Sequence, residues 1–263
     1  MTTISVFSTD PASVNCAVIT GSTGSLIVDA GPFPAAGRRL AARAAQLRGD
    51  SPGAGGIDLV ITHDHWDHCF GAAALLEATA GRALASSSFA ADQEASAWLA
   101  LDSLRHDPAT AEFAAELPDD PGELVVDVTP VGSTSAPDGI DLGDCRAEFH
   151  VLEGHSTSDL VVRLPEFGIV FTGDLVEEGD PPQAGADAAL SRWVDSLHTI
   201  LEFPEAEVFV PGHGVPVDRG FVQRQLADID GMRHRQDDTE VALPARTMPG
   251  DHDRSVPREH RLR

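Results

Sequence analysis

Seven consecutive residues, Thr62-His63-Asp64-His65-Trp66-Asp67-His68, gather three imidazoles and two carboxylates directly after the apolar run Ile57-Asp58-Leu59-Val60-Ile61. Packing a core does not require such a set. A metal does: imidazole and carboxylate together suit zinc or iron, whereas calcium and magnesium take oxygen ligands. Along a strand end, side chains two residues apart point the same way. His63 and His65 can therefore share one ion, and Asp67 and His68, a step further round the turn, can reach a second.

Zinc takes about four ligands, so this cluster cannot complete a site alone. Three later segments share one design, an apolar strand followed by a polar turn. Glu148-Phe149-His150-Val151-Leu152-Glu153-Gly154-His155 offers His155. Gly168-Ile169-Val170-Phe171-Thr172-Gly173-Asp174 offers Asp174, and Val208-Phe209-Val210-Pro211-Gly212-His213 offers His213. A Gly precedes each ligand candidate, which lets the backbone turn sharply and come close to a site. No Gly-x-Ser-x-Gly elbow accompanies them, so a covalent serine nucleophile is not expected.

The elements that carry these residues follow from pattern. Residues 14–19 and 25–29 read as strands around a Gly-containing hairpin loop at 20–24. Residues 34–48 read as a helix with Pro near its start. A loop at 51–56 leads to a short buried strand at 57–61, which delivers the His cluster. Helical stretches are expected at 71–79, over 86–117 as one or two helices, and at 187–201 and 219–235. Strands are expected at 124–128, 145–152, 159–164, 168–172 and 208–210. Two groups of strands, each followed by helices, imply two sheets covered by helices on the outside in one α/β domain.

Bulk properties narrow the function. The 263 residues are 42% hydrophobic, enough for a sizeable core. No run approaches the roughly 18 apolar residues of a spanning helix, and no signal-peptide pattern opens the chain, so the sequence reads as cytoplasmic with no membrane partner. Cys16, Cys69 and Cys145 are too few and scattered for a disulfide framework. Eighteen basic residues, all Arg, oppose 42 acidic ones for a net charge of −24, which would repel nucleic acid. The domain is expected to span residues 1–236, with 237–263 a charged, Pro-containing tail. Nothing in the sequence sets the oligomeric state.

With these residues in order, the chain resembles the metallo-β-lactamase-fold hydrolase superfamily over roughly residues 14–225. The signature is His63-x-His65-x-Asp67-His68, then His155, Asp174 and His213, with Asp29 of Ile27-Val28-Asp29-Ala30-Gly31 similar to that family's early strand-end Asp-x-Gly. The resemblance implies a four-layer αβ/βα sandwich holding two Zn(2+) per chain, with Fe or Mn as other metals. His63, His65 and His155 would hold the first ion, and Asp67, His68 and His213 the second. Asp174 would bridge both, and Asp67 and Asp174 would be the catalytic carboxylates. Two divalent ions against two carboxylates and a bridging hydroxide leave about +1, and paired cations drop the pKa of bound water towards 7. The implied chemistry is hydrolysis of a small ester, lactone, thioester or related substrate. The resemblance also leaves open a mononuclear Fe enzyme like persulfide dioxygenase, or a non-catalytic metal-binding module.

Substrate is less legible. Glutathione-gripping relatives use Lys, Tyr and Arg, and this chain has neither Lys nor Tyr. A largely apolar small-molecule substrate is expected, with Trp66, Phe70 and the 175–193 segment as pocket candidates, and with Phe89 and Trp98 read first as core packing and second as pocket lining. Glu178 belongs to an acidic rim at 177–182. Asp29 is expected either to form its turn or to orient a ligand His. Cys69 and His150 read as packed side chains.

Overall fold

A computed structural model describes residues 1–49, 56–132, 138–234, 243–248 and 259–262. In chain order it contains β1 (Thr3–Thr9), β2 (Val14–Thr20), β3 (Ser25–Val28), α1 (Pro34–Arg48), β4 (Asp58–Val60), α2 (Trp66–Cys69), α3 (Ala72–Thr79), β5 (Ala83–Ser86), α4 (Ser87–His106) and α5 (Ala111–Ala114). There follow β6 (Val128–Val131), β7 (Gly139–Asp141), β8 (Arg146–Val151), β9 (Leu160–Leu164), β10 (Ile169–Glu177), α6 (Leu190–Leu201), β11 (Val208–His213), β12 (Val217–Asp218), α7 (Arg219–Arg233) and β13 (Glu259–Leu262).

The strands form one curled sheet in the order β6-β5-β4-β3-β2-β11-β10-β9-β8-β7, with β1 and β13 on β2 and β12 on β11. Its two halves meet at a single partnered pair, Val14 with His213. Alternation along the strands explains why the sheet curls into two layers. Leu59 and Ile61 of the first half face a core shared with Leu40, Ala44 and Phe89 of the outer helices. Their neighbour Val60 faces the opposite way, into a core with Val162, Phe171 and Val210 of the second half. In that half Val161, Val170 and Phe209 point outward again, against Trp193, Leu197 and Phe221 of α6 and α7. Three apolar interfaces separate four layers, so the chain is an αβ/βα sandwich.

Local chemistry sets the helix positions. Ser86 caps α4 by accepting from the Phe89 N–H at 3.1 Å, and Asp218 caps α7 by accepting from Phe221 N–H at 2.7 Å. α1 buries Ala36, Leu40, Ala41 and Ala44, spaced three and four apart.

Several boundaries differ from sequence expectation. Residues 83–85, left unassigned, and Ser86, the first residue of the expected helix, form β5, because parallel pairing with β4 overrides the helical preference of Ala and Leu. The strand expected at 124–128 lies instead at 128–131, parallel to β5, after a short 3-10 turn at 121–124. β10 runs to Glu177 because it continues beside β11 through a register shift at Gly173. The loop read at 51–56 lies, apart from Gly56, outside the described residues, as do 237–242, 249–258 and 263. In the rest of the expected tail, β13 pairs antiparallel with β1, and Leu243 packs against the α6–α7 core.

Candidate metal centre

The ligand candidates converge where the two sheet halves meet. The His cluster follows β4 and enters α2, whereas Asp174 lies within β10 and His213 ends β11. Two of the preceding glycines have a steric reason. Gly173 has φ +52°, a left-handed backbone that turns the chain into Asp174. A Cβ on Gly212 would lie 1.7 Å from Asp174 Oδ1, so only glycine lets β11 pass the carboxylate.

Asp174 is the hub. Its Oδ1 lies 3.2 Å from His68 Nε2. Its Oδ2 lies 3.5 Å from both His155 Nε2 and His213 Nε2, and 3.7 Å from His63 Nε2. His213 Nε2 is also 3.3 Å from Asp67 Oδ2. The side chains sort into two groups that could each hold an ion, one of His63, His65, His155 and Asp174 and one of Asp67, His68 and His213. Within each, one ligand atom per residue lies inside 4.8 Å of the others.

Every imidazole is engaged on its outer nitrogen. His68 Nδ1 meets Asp29 Oδ2 at 2.8 Å, His65 Nε2 meets Asp187 Oδ2 at 3.1 Å, and His155 Nδ1 meets the Gln183 carbonyl at 3.0 Å. His213 Nδ1 meets the Ala12 carbonyl at 3.0 Å and His63 Nδ1 meets Thr62 Oγ1 at 3.1 Å. The acceptors assign the N–H to the outer nitrogen, leaving a lone pair on the inner one. The inner nitrogens then face one another: His65 Nδ1 and His155 Nε2 are 3.0 Å apart with no donor between them. His63 Nε2, His68 Nε2 and Asp174 Oδ1 are buried without any hydrogen-bond partner, even though the last two are close. Buried acceptors aimed at a common point and not at donors suit divalent cations.

The electrostatics agree. Burial pushes the Asp174 carboxyl up, but His68 and His213 outweigh it and hold it well below the usual carboxylate range. Burial pulls the imidazoles of His68 and His213 down, yet Asp174 and its carboxylate neighbours raise both well above the ordinary value. Burial alone dominates at His155, lowered to about 4, and at His63, also lowered. The centre draws positive charge to His68 and His213, burial keeps His63 and His155 neutral, and His65, pulled down by burial, is raised by Asp187 and Asp174.

Asp29 orients rather than merely turns. Its backbone is left-handed at φ +59°, and its carboxylate accepts from Thr62 N–H, Thr62 Oγ1–H and His68 Nδ1–H. Holding a non-glycine there costs of order 1 kcal/mol, offset by three buried hydrogen bonds. Asp64, inside the His cluster, points away and accepts from Ser158 and Ser96, while Thr62 O accepts from Leu160 N–H across the two halves.

A cavity of about 380 Å³ opens onto the centre, walled by His65, Asp67, Asp174, Glu177, Asp180 and Gln183 among others. None of the aromatic pocket candidates is among these walls. Trp66 stacks on Phe113 with centroids 5.4 Å apart, Phe70 and Phe89 are core residues, and Trp98 is 58% exposed on α4. Glu178 is buried, its carboxylate accepting from Val215 and Met248 N–H, so it braces the turn after His213. Cys69 is packed, its thiol pushed up by burial, and His150 lies against Phe203.

Sequence reasoning missed Asp187 and Gln183, and placed Glu177 only in the acidic rim at 177–182. All lie in the 175–193 segment, with no spacing signal. Gln183 acts through its carbonyl, which any residue has. The Glu177 carboxyl accepts from Gln183 N–H and is pushed up to about 8 by burial and then by the Asp174 charge.

A family model described as the metallo-beta-lactamase superfamily matches residues 9–213. The metallo-beta-lactamase type 2 of Bacillus cereus is 31% identical over 101 residues, 37% of this chain and 40% of that protein. The acyl-coenzyme A thioesterase MBLAC2 of Gallus gallus is 29% identical over 208 residues, 76% of this chain and 72% of that protein. Among solved structures, an archaeal metallo-β-lactamase superfamily protein from Sulfolobus tokodaii superposes with TM-score 0.64 at 18% identity, covering 90% of each chain.

Proposed function

The chain belongs to the metallo-β-lactamase superfamily, and from that premise we propose that it is a two-zinc hydrolase of small thioesters, esters or lactones. The observation that carries this reading is the set of seven inward-facing ligands in two groups around Asp174. His63, His65 and His155 would hold one ion, Asp67, His68 and His213 the other, with Asp174 between them. Two such ions would supply an activated water near neutral pH and would polarise the substrate carbonyl.

The chain's own groups do the rest. The outer partners of the five imidazoles fix each ring's tautomer and aim. The Asp174 carboxylate, open to both groups, is placed to take the proton released as the water oxygen bonds to the acyl carbon. The acyl–sulfur or acyl–oxygen bond then breaks, and that proton leaves on the thiol or alcohol. The thioesterase name of the Gallus gallus relative supports a thioester among the substrates. A full coenzyme A moiety fits poorly, because no Arg lines the cavity among the described residues and the chain has no Lys to meet its phosphates.

Metal analysis of the purified protein, followed by assay against short-chain thioesters, esters, lactones and phosphodiesters, tests the reading. About two zinc ions per chain with carbonyl-ester or thioester turnover is expected. A single iron with oxygen consumption overturns it.

A further inference from the structure

A second, smaller cavity of about 140 Å³ adjoins the metal cavity on the far side of His213, and Ala12, Asp180 and His213 wall both. Its chemistry follows from what each polar wall group has left to offer. Glu178 is occupied by Val215 and Met248 N–H. Asn15 is 93% buried, at 7% exposure, and donates from Nδ2 to the carbonyls of Pro211 and Gly214, both at 2.9 Å. Those two carbonyls fix which end of the amide is nitrogen. Its Oδ1 is therefore an acceptor, and no described residue donates to it. Asp180 has an exposed carboxylate with no hydrogen bond or ion pair among the described residues. No Arg lines this compartment among the described residues.

The open amide acceptor of Asn15 and the exposed Asp180 carboxylate favour a ligand that is both cationic and a hydrogen-bond donor, and the two wall imidazoles, His213 and His260, are the cavity's only basic side chains among the described residues. An anion meets no Lys or Arg here, and a quaternary ammonium leaves Asn15 Oδ1 without a donor. Resting on the hydrolase reading above, we propose that this compartment is a primary-ammonium subsite. Asn15 Oδ1 and Asp180 read the ammonium of an aminoacyl thioester, ester or amino-lactone whose carbonyl lies at the metal centre. The net charge of −24 adds long-range attraction for such a substrate, which salt screens.

The test separates binding from turnover. β-Alaninamide and its uncharged isostere butanamide are titrated calorimetrically into the zinc-loaded full chain and into Asp180→Asn. Asp180 is exposed, so the variant folds. The wild type is expected to favour β-alaninamide by about tenfold, with the preference falling in high salt and largely lost in Asp180→Asn. Equal affinities, or a preference that Asp180→Asn leaves unchanged, overturns the subsite. In parallel, β-alanyl and butanoyl thioesters of N-acetylcysteamine are compared as substrates. If the amide preference holds but neither thioester is hydrolysed, the subsite stands and the hydrolase reading falls. If both are hydrolysed with equal kcat/KM and equal amide binding, the reverse holds.

Discussion

Asp29→Asn is a near-isosteric probe of how the centre is held. In the wild type, Asp29 Oδ2 accepts from His68 Nδ1–H at 2.8 Å and Oδ1 accepts from Thr62 N–H at 2.8 Å. Asparagine tolerates the left-handed backbone at φ +59° and can keep its oxygen on the Thr62 N–H. It then presents an NH2 to His68 Nδ1, where an acceptor is needed. The ring must either clash donor to donor or move its proton to Nε2, the nitrogen that faces Asp174. The first alternative tilts the ring away from its aim, and the second costs the group a lone pair. A hydrogen bond to a charged group contributes about 1.5–3 kcal/mol, which at about 1.4 kcal/mol per tenfold is roughly 10- to 150-fold in affinity. The assay is zinc binding to the apoprotein in competition with a chromophoric chelator, resolving two dissociation constants, alongside thermal unfolding. Only the affinity of the Asp67–His68–His213 group should fall, with the His63–His65–His155 group close to its wild-type affinity and a drop in apo stability of about 1–3 kcal/mol. Two ions bound with unchanged affinities would refute the outer-partner argument.

Gly212→Ala places a Cβ into the Asp174 carboxylate, and overpacking of this kind costs about 1–3 kcal/mol. Because the displaced group is the hub, loss of metal measured by elemental analysis should exceed the modest fall in Tm. Ser158→Ala removes the hydroxyl that donates to Asp64 Oδ1 at 2.6 Å across the two sheet halves. It should destabilise the fold by about 1–3 kcal/mol, read as a lower denaturant midpoint, and an unchanged midpoint would show that the bond is not needed. Zinc uptake should also depend on pH with a definite sign. His68 and His213 have raised pKa values in the apoprotein, so their contribution to apo stability is full below about 6.5 and is lost as pH rises through the raised values. Metal must displace those protons, so zinc affinity should rise with pH, and calorimetry in buffers of different ionisation enthalpy should report net proton release near pH 7. No proton release there would sink that account.

How much was legible depends on distance along the chain. The His63 to His68 run declares metal chemistry locally, because a strand end and turn project side chains in a pattern that spacing alone predicts. His155, Asp174 and His213 were legible because each follows an apolar strand and a glycine, and Gly212 and Gly173 have steric reasons for being there. The same local rules left β5 without an assignment, because Ala83-Leu84-Ala85-Ser86 has helical preference and only pairing with β4 makes it a strand.

Tertiary structure alone decided the rest. Asp187 lies 122 residues from His65, and the Ala12 and Gln183 carbonyls carry no sequence signature at all. Which nitrogen of each imidazole faces inward, which carboxylates are already occupied, and which acceptors remain open beside His213 are facts of where the two sheet halves meet. Local spacing can name the candidate ligands of this protein, because ligand type and reach are properties of a few adjacent residues. Their aim and the shape of the substrate's place depend on groups that only folding brings together.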